Sequence, residues 1–251
     1  MFKQSILLAI ALGISTSAWS ANARQAEIDS ILNVMETQGA SGKIHAVQPL
    51  MWLGISDPAV YDPIAKELKE YYPKAAKEKV LKKLTISYCR ALSYSGQDKY
   101  KATVQEVADK AHKKIAKHCA SSLEDFAKYQ KWNPIITGKK NVLGDPTKTA
   151  AARYYNMIDS GDLELARLGL KRTVHENKYS EPMLELVKKQ LMANYQKPLK
   201  DKTELDAVIW MAKVLAETGE TRFYETLNTV AEGAENRRLK KKVGKWAAGL
   251  M

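Results

Sequence analysis

Residues 205–250 constrain the fold of this chain more than any other stretch. They read LDAVIWMAKVLAETGETRFYETLNTVAEGAENRRLKKKVGKWAAGL. Val208, Met211, Ala212 and Leu215 recur at helical spacing, which buries one face of a helix. Gly219 ends it, because glycine enters the left-handed conformation without a Cβ penalty. A second stripe (Phe223, Leu227, Val230, Ala231) follows within a few residues. A third (Leu239, Val243, Trp246, Leu250) starts after Asn236, a good N-cap. Short amphipathic helices of this kind cannot bury their apolar faces alone, so they must stack on neighbours.

The same pattern fills the rest of the chain. Ile28, Ile31, Leu32 and Met35 share one helical face. His45–Ile55 is apolar nearly all round and is expected to be deeply packed. Asp57-Pro58 and Asp62-Pro63 both read as an N-cap followed by proline at the first helical position. Lys74–Tyr94 is the longest helical stretch, with Val80, Leu84, Tyr88, Ala91 and Leu92 facing inward. Asp98 is expected to cap the next helix, whose face is Tyr100, Val104, Val107 and Ala111. Ile115, Cys119, Leu123 and Phe126 form another. After Thr147, helices resume over Ala150–Ile158, Leu163–Val174 and Met183–Tyr195. No segment sustains a period of two with turn signals, so no strand is expected.

Residues 1–23 read as a cleavable export signal. Lys3 supplies a positive start, Ile6–Ile14 a short apolar core, and Ala18-Trp19-Ser20 and Ala21-Asn22-Ala23 small-residue cleavage sites. The alternative is an N-terminal anchor. The expected location is therefore periplasmic or secreted, with no transmembrane segment after the signal is removed. The chain carries a formal charge of +12, and only Lys3 of its basic residues lies in the first 20. Outside the inner membrane such a charge fits acidic proteins, anionic surfaces or polymers better than nucleic acid. It also fits simple solubility.

The chain looks internally duplicated. With Gly96 set on Gly219, Ile86 falls on Ile209, Ala91 on Val214 and Leu92 on Leu215. Tyr100 then falls on Phe223, Thr103 on Thr226, Val104 on Leu227, Val107-Ala108 on Val230-Ala231 and Ala111 on Ala234. One inserted residue later, Ile115 falls on Leu239 and Cys119 on Val243. Upstream, Asp62-Pro63-Ile64 matches Glu181-Pro182-Met183, and Leu53-Gly54-Ile55 matches Leu168-Gly169-Leu170 with a small gap. The expected organisation is an N-terminal half over 24–131, a connecting loop over 132–147 and a C-terminal half over 148–251. The loop, Trp132–Thr147, has no period and holds two prolines and two glycines. It reads as a linker between halves or as a binding loop.

The unit VLAETGETRFYETLNTVAEGAENRRLKKKVGKWAAGL resembles the HEAT-repeat family. A helix ending in glycine, a polar turn, a second helix with a Leu-x-x-Val face and a basic start to the next helix carry the resemblance. ALSYSGQDKYKATVQEVADKAHKKIAKHCA is similar. The resemblance implies an all-α fold, an α-α superhelix of stacked antiparallel helix pairs, that binds another macromolecule and catalyses nothing.

Cys89 and Cys119 are the only cysteines. Their counterparts, Ala212 and Val243, are apolar, which places both cysteines between successive helices. An oxidising compartment and an even count favour a disulfide, against two separately buried thiols. Closing a loop of about 30 residues would contribute roughly 3–4 kcal/mol on the chain-entropy description. A metal site is not expected, since His112 and His118 beside these cysteines reproduce no zinc-ligand spacing.

Catalytic motifs are missing. Gly138-Lys139-Lys140 resembles the end of a phosphate loop, but Asn133 stands where the first glycine belongs and Lys140 where serine or threonine should follow. The four histidines are dispersed. Glu67, Glu70 and Glu78 sit among lysines at helical spacings and read as solvated pairs. Tyr71-Tyr72 and Tyr154-Tyr155 could line a groove, with one of each pair in the core. The suggestive feature is a repeated basic cluster. Lys110, Lys113, Lys114 and Lys117 align with the region of Arg237, Arg238, Lys240 and Lys241. Cations at a helix start oppose the helix dipole, so they read either as a solvated face or as a contact surface for an anionic partner. No cofactor is expected. The partner expected is an unidentified protein, with an anionic surface or polymer as the alternative.

Overall fold

A computed structural model describes residues 24–138, 146–199 and 201–251. The expected export signal over 1–23 and Lys139 and Lys140 of the phosphate-loop look-alike lie outside the described residues. Every regular element among the described residues is helical. None of the helices is long and apolar enough to cross a membrane. The chain divides into two compact units, the first reaching Gly138 and the second running from Thr147 to Met251.

Unit 1 comprises α1 (24–37), α2 (Ala40–Val47), α3 (Leu50–Leu53), α4 (Pro58–Tyr71), α5 (Lys79–Tyr94), a 3-10 turn (Asp98–Tyr100), α6 (Lys101–Lys110), α7 (Lys113–Leu123) and α8 (Asp125–Gly138). The long α5 is central, with α2, α4, α7 and α8 packed against it. Its inward residues Leu84, Tyr88, Ala91 and Leu92 are fully buried. Unit 2 comprises α9 (Pro146–Ile158), α10 (Leu163–Glu176), α11 (Glu181–Asn194), α12 (Lys202–Glu217), a 3-10 turn (Thr221–Phe223), α13 (Tyr224–Gly233) and α14 (Arg237–Ala248). Here α12 is central, with α10, α11 and α14 packed against it.

The two aligned stretches share an order of elements and several landmarks. Both central helices are 16 residues long and end at a left-handed glycine, Gly96 with φ 66° and Gly219 with φ 69°. A three-residue 3-10 turn and a 10-residue helix follow in each unit. Both of those helices end on an extended alanine, Ala111 and Ala234. The details repeat as well. Ser95 Oγ donates to the Leu92 carbonyl (2.6 Å) and accepts from the Gln97 amide (3.1 Å). Thr218 Oγ1 does the same with Leu215 (2.8 Å) and Glu220 (3.2 Å). A cation stacks on the next ring in each copy, Lys99 on Tyr100 at 4.7 Å and Arg222 on Phe223 at 4.6 Å. That cation then pairs with the carboxylate preceding the matched proline, Lys99 with Asp62 at 2.8 Å and Arg222 with Glu181.

The correspondence fails upstream. Gly54 is the left-handed cap of α3, whereas Gly169 lies inside α10 against the Met157 side chain. Leu53-Gly54-Ile55 and Leu168-Gly169-Leu170 are therefore not equivalent. Pro63 sits within α4, because Asp57 has already capped that helix one turn earlier through the Ala59 amide (2.9 Å). Pro182 by contrast opens α11.

Other expectations need correction. Trp132–Gly138 belongs to α8 and not to a loop. Proline is tolerated there, and the Asn133 amide nitrogen anchors the helix by donating to the carbonyls of Tyr94 (2.9 Å) and Ser95 (3.2 Å). Of the rest of the expected loop, 139–145 lies outside the described residues, and Pro146 and Thr147 open α9. Val80 falls in the first turn of α5 and is 47% exposed. Asp98 opens the 3-10 turn without capping a helix and pairs with Lys101 at 2.8 Å. His45–Ile55 is broken into α2 and α3, and only Val47, Leu50, Gly54 and Ile55 are buried.

Burial of the tyrosines has a consequence for pH. Tyr94 and Tyr100 are pushed up to about 12 by burial. Tyr61, Tyr88 and Tyr154 are raised further for the same reason, and Tyr88 and Tyr154 also donate to Glu67 (2.6 Å) and Glu176 (2.7 Å). Above the ordinary tyrosine pKa of about 10 the unfolded chain releases phenolic protons that the folded chain retains. The stability from these groups is full below pH 10 and declines as pH rises toward 12. An ultraviolet titration is expected to show these tyrosines ionising only with alkaline unfolding. A single reversible step covering every tyrosine near pH 10 would contradict this.

Candidate functional site

The disulfide is present, and it joins Cys89 of α5 to Cys119 of α7 with Cα atoms 5.2 Å apart. Both residues are fully buried. In unit 2 the corresponding helices α12 and α14 also pack together, and the aligned Ala212 and Val243 are fully buried. Only unit 1 carries this covalent link.

The basic clusters occupy equivalent places in the two units. Lys113, Lys114 and Lys117 lie on the exposed face of α7, and Arg237, Arg238, Lys240 and Lys241 on that of α14. Between them, Ile115 and Cys119 in α7, and Leu239 and Val243 in α14, point into the core. The apolar stripe thus forces the cations outward. Lys110 stands apart at the end of α6 and is committed to Glu106 at 3.1 Å, an oxygen that also accepts from the Tyr72 hydroxyl at 3.2 Å. The hydrogen bond from Lys110 holds the Glu106 carboxyl below the usual range, and the same bond raises Lys110. Lys240 donates to the Glu232 carbonyl at 2.9 Å. Among the described residues, Lys113, Lys114, Lys117, Arg237, Arg238 and Lys241 form no ion pair.

These helix starts differ in capping. Asn236 accepts from the amides of Arg238 (3.0 Å) and Leu239 (3.2 Å) and so secures α14. His112 precedes α7 without a side-chain cap. His118 is lowered, first by partial burial and then by Arg90, Lys114 and Lys117. The sequence alignment left out Lys242 and Lys245, which are also exposed on α14. The run RRLKKKVGK would have disclosed them, since only Leu239 and Val243 interrupt its solvent face.

The other sequence candidates contribute no common site. Tyr154 is buried and Tyr155 half-buried, while Tyr71 and Tyr72 are both half-buried. No group of three or more His, Cys, Asp or Glu side chains is placed to hold a metal among the described residues. Glu70 pairs with Lys74 at 3.6 Å, as the helical spacing suggested. Glu67 instead bridges Lys43 of α2 (2.5 Å) and Tyr88 of α5 (2.6 Å). Comparison with known proteins finds no matching protein family, no matching curated protein and no matching solved structure.

Proposed function

We propose that this is an exported, HEAT-like helical-repeat protein of the cell envelope that acts as a non-catalytic binding or scaffold module for another protein. The observation that carries the reading is the repeated exposure of unpaired cations at the starts of α7 and α14. Positive charge at a helix start costs helix stability, so its recurrence in two copies of one module favours a role in contact. A carboxylate-rich protein surface fits such sites. Export accounts for the disulfide, because unpaired envelope thiols oxidise.

The test is recovery from envelope extract at moderate salt with the full chain as bait. The expected result is a specific protein retained by the native chain and weakened at least about tenfold by K113E/K114E/R237E/R238E, given roughly 0.2–1 kcal/mol for each exposed charge contact. Failure to retain a specific protein would contradict the reading.

A second reading is supported by the same unpaired cations, namely binding of anionic polymer or lipid head groups. Its test is cosedimentation with vesicles of anionic lipid. Binding should fall steeply from low to moderate salt as the charges are screened and should vanish in the same fourfold variant. Binding indifferent to salt and to these substitutions would exclude it.

A further inference from the structure

Where unit 2 carries a tryptophan, unit 1 carries a pocket. The register that sets Gly96 on Gly219 also sets Ser87 of α5 on Trp210 of α12 and Arg90 on Lys213. In unit 2 the Trp210 indole is half-buried, and two cations lie over it, Lys213 at 4.5 Å and Lys171 of α10 at 5.4 Å. In unit 1 the serine at that position leaves an open pocket of about 220 Å³ between α2, α3 and α5. Val47, Met51 and Tyr94 line its apolar part, and Ser87, Arg90 and His45 its polar part. Val47 and Tyr94 are buried, while Arg90 and His45 are exposed at the rim.

At the position that Ser87 takes on α5, α12 thus carries a ring with cations over it. The volume suits a planar aromatic ring, since a cavity of about 150 Å³ already accommodates benzene. Arg90 has the place that Lys213 takes beside the indole, and it forms no ion pair among the described residues. A guanidinium can stack on a ring face or pair with a carboxylate. No acidic side chain lines the pocket, so a ligand bearing negative charge would meet no repulsion within it.

We propose that the α2–α5 pocket of unit 1 is a binding site for an aromatic ring carrying a nearby carboxylate, held against Val47, Met51 and Tyr94 with Arg90 as its charge partner. The same chemistry can come from a small indole- or phenyl-type acid or from an aromatic side chain beside an acidic residue of a partner protein. The site shares no residue with the basic clusters on α7 and α14.

The experiment is amide chemical-shift titration of the full oxidised chain with indole-3-acetate, uncharged indole and a short peptide holding tryptophan between two aspartates. Shifts are expected at Val47, Ser87 and Arg90. S87W, which places an indole in the pocket, should weaken binding at least tenfold. R90A should weaken indole-3-acetate several-fold while leaving indole unchanged. Tighter binding of the peptide would assign the ring to a partner protein, and tighter binding of indole-3-acetate to a small molecule. W210S gives an arm that does not depend on the folding of S87W. It should create a second indole site, seen as new shifts in α10 and α12 and a rise in melting temperature on adding indole. K113E/K114E/R237E/R238E should retain indole binding. No shift in unit 1 up to about 10 mM probe, or equal binding by folded S87W, would overturn the proposal.

Discussion

Replacing Gly96 by alanine is expected to cost about 4 kcal/mol, and the same change at Gly219 about 1 kcal/mol. Both glycines cap a central helix at nearly the same positive φ, so the conformational penalty of a Cβ is common to both. What differs is the neighbour. A Cβ on Gly96 would lie 2.6 Å from the Gln130 nitrogen and 2.8 Å from the Gln130 Cα and the Tyr129 carbonyl carbon. These are backbone atoms of α8 and cannot rotate aside. Moving α8 would strain the hydrogen bonds of Asn133 to Tyr94 and Ser95 and the tilted ring contact of Tyr94 with Tyr129, whose ring centres are 4.7 Å apart. Around Gly219 nothing lies within 4 Å of the added carbon. Urea unfolding followed by hydrogen exchange of α5 and α12 amides separates the two costs. Equal losses in G96A and G219A would mean that α8 does not close on the end of α5.

The disulfide is expected to matter nearly as much. C89A/C119V gives unit 1 the pair of residues that unit 2 already uses, Ala212 and Val243, so the contact between helices is retained in kind while the covalent link is lost. The loop of 30 residues then closes without a covalent constraint, and unit 1 should lose about 3–4 kcal/mol. The melting transition of unit 1 should fall by roughly 10–20 °C, at about 3–6 °C per kcal/mol for a unit between the small and large domain classes. Amides of α12 and α14 should keep their exchange rates. An unchanged unfolding midpoint on reduction would show that packing alone holds α5 to α7.

Much of this was readable from the residues because the alignment of 79–111 with 202–234 gives each position two witnesses. Gly96 and Gly219 marked the same left-handed cap, and Ala212 and Val243 showed that both cysteines face the interior. Asp62 and Glu181 were aligned by their following prolines, and the structure joins each to the cation of its own copy. Periodicity did worse at element ends. It could not tell that Asp57 starts α4 before Pro63 does, or that Val80 is exposed. Trp132–Gly138 read as a loop because Pro134 and Gly138 weaken the helical signal. Tertiary anchoring by Asn133 overrides that signal, and the anchor depends on residues 39 and 38 positions away. The pocket was partly legible. Setting Ile86 on Ile209 also sets Ser87 on Trp210, but a serine opposite a tryptophan becomes a hollow only once α2 is known to lie against α5. The partners of Lys110 and Lys240 were not legible beyond the (i, i−4) pairing of Lys110 with Glu106.

The claim beneath all of this is that one helix module occurs twice in the chain. Backbone chemical shifts of the oxidised protein test it residue by residue, because they report φ and ψ directly. The account predicts that the torsions of 79–111 recur over 202–234, with left-handed glycines at 96 and 219, 3-10 geometry at 98–100 and 221–223, and extended alanines at 111 and 234. A shift pattern in which those landmarks are out of step, or in which either stretch holds a strand, would contradict it.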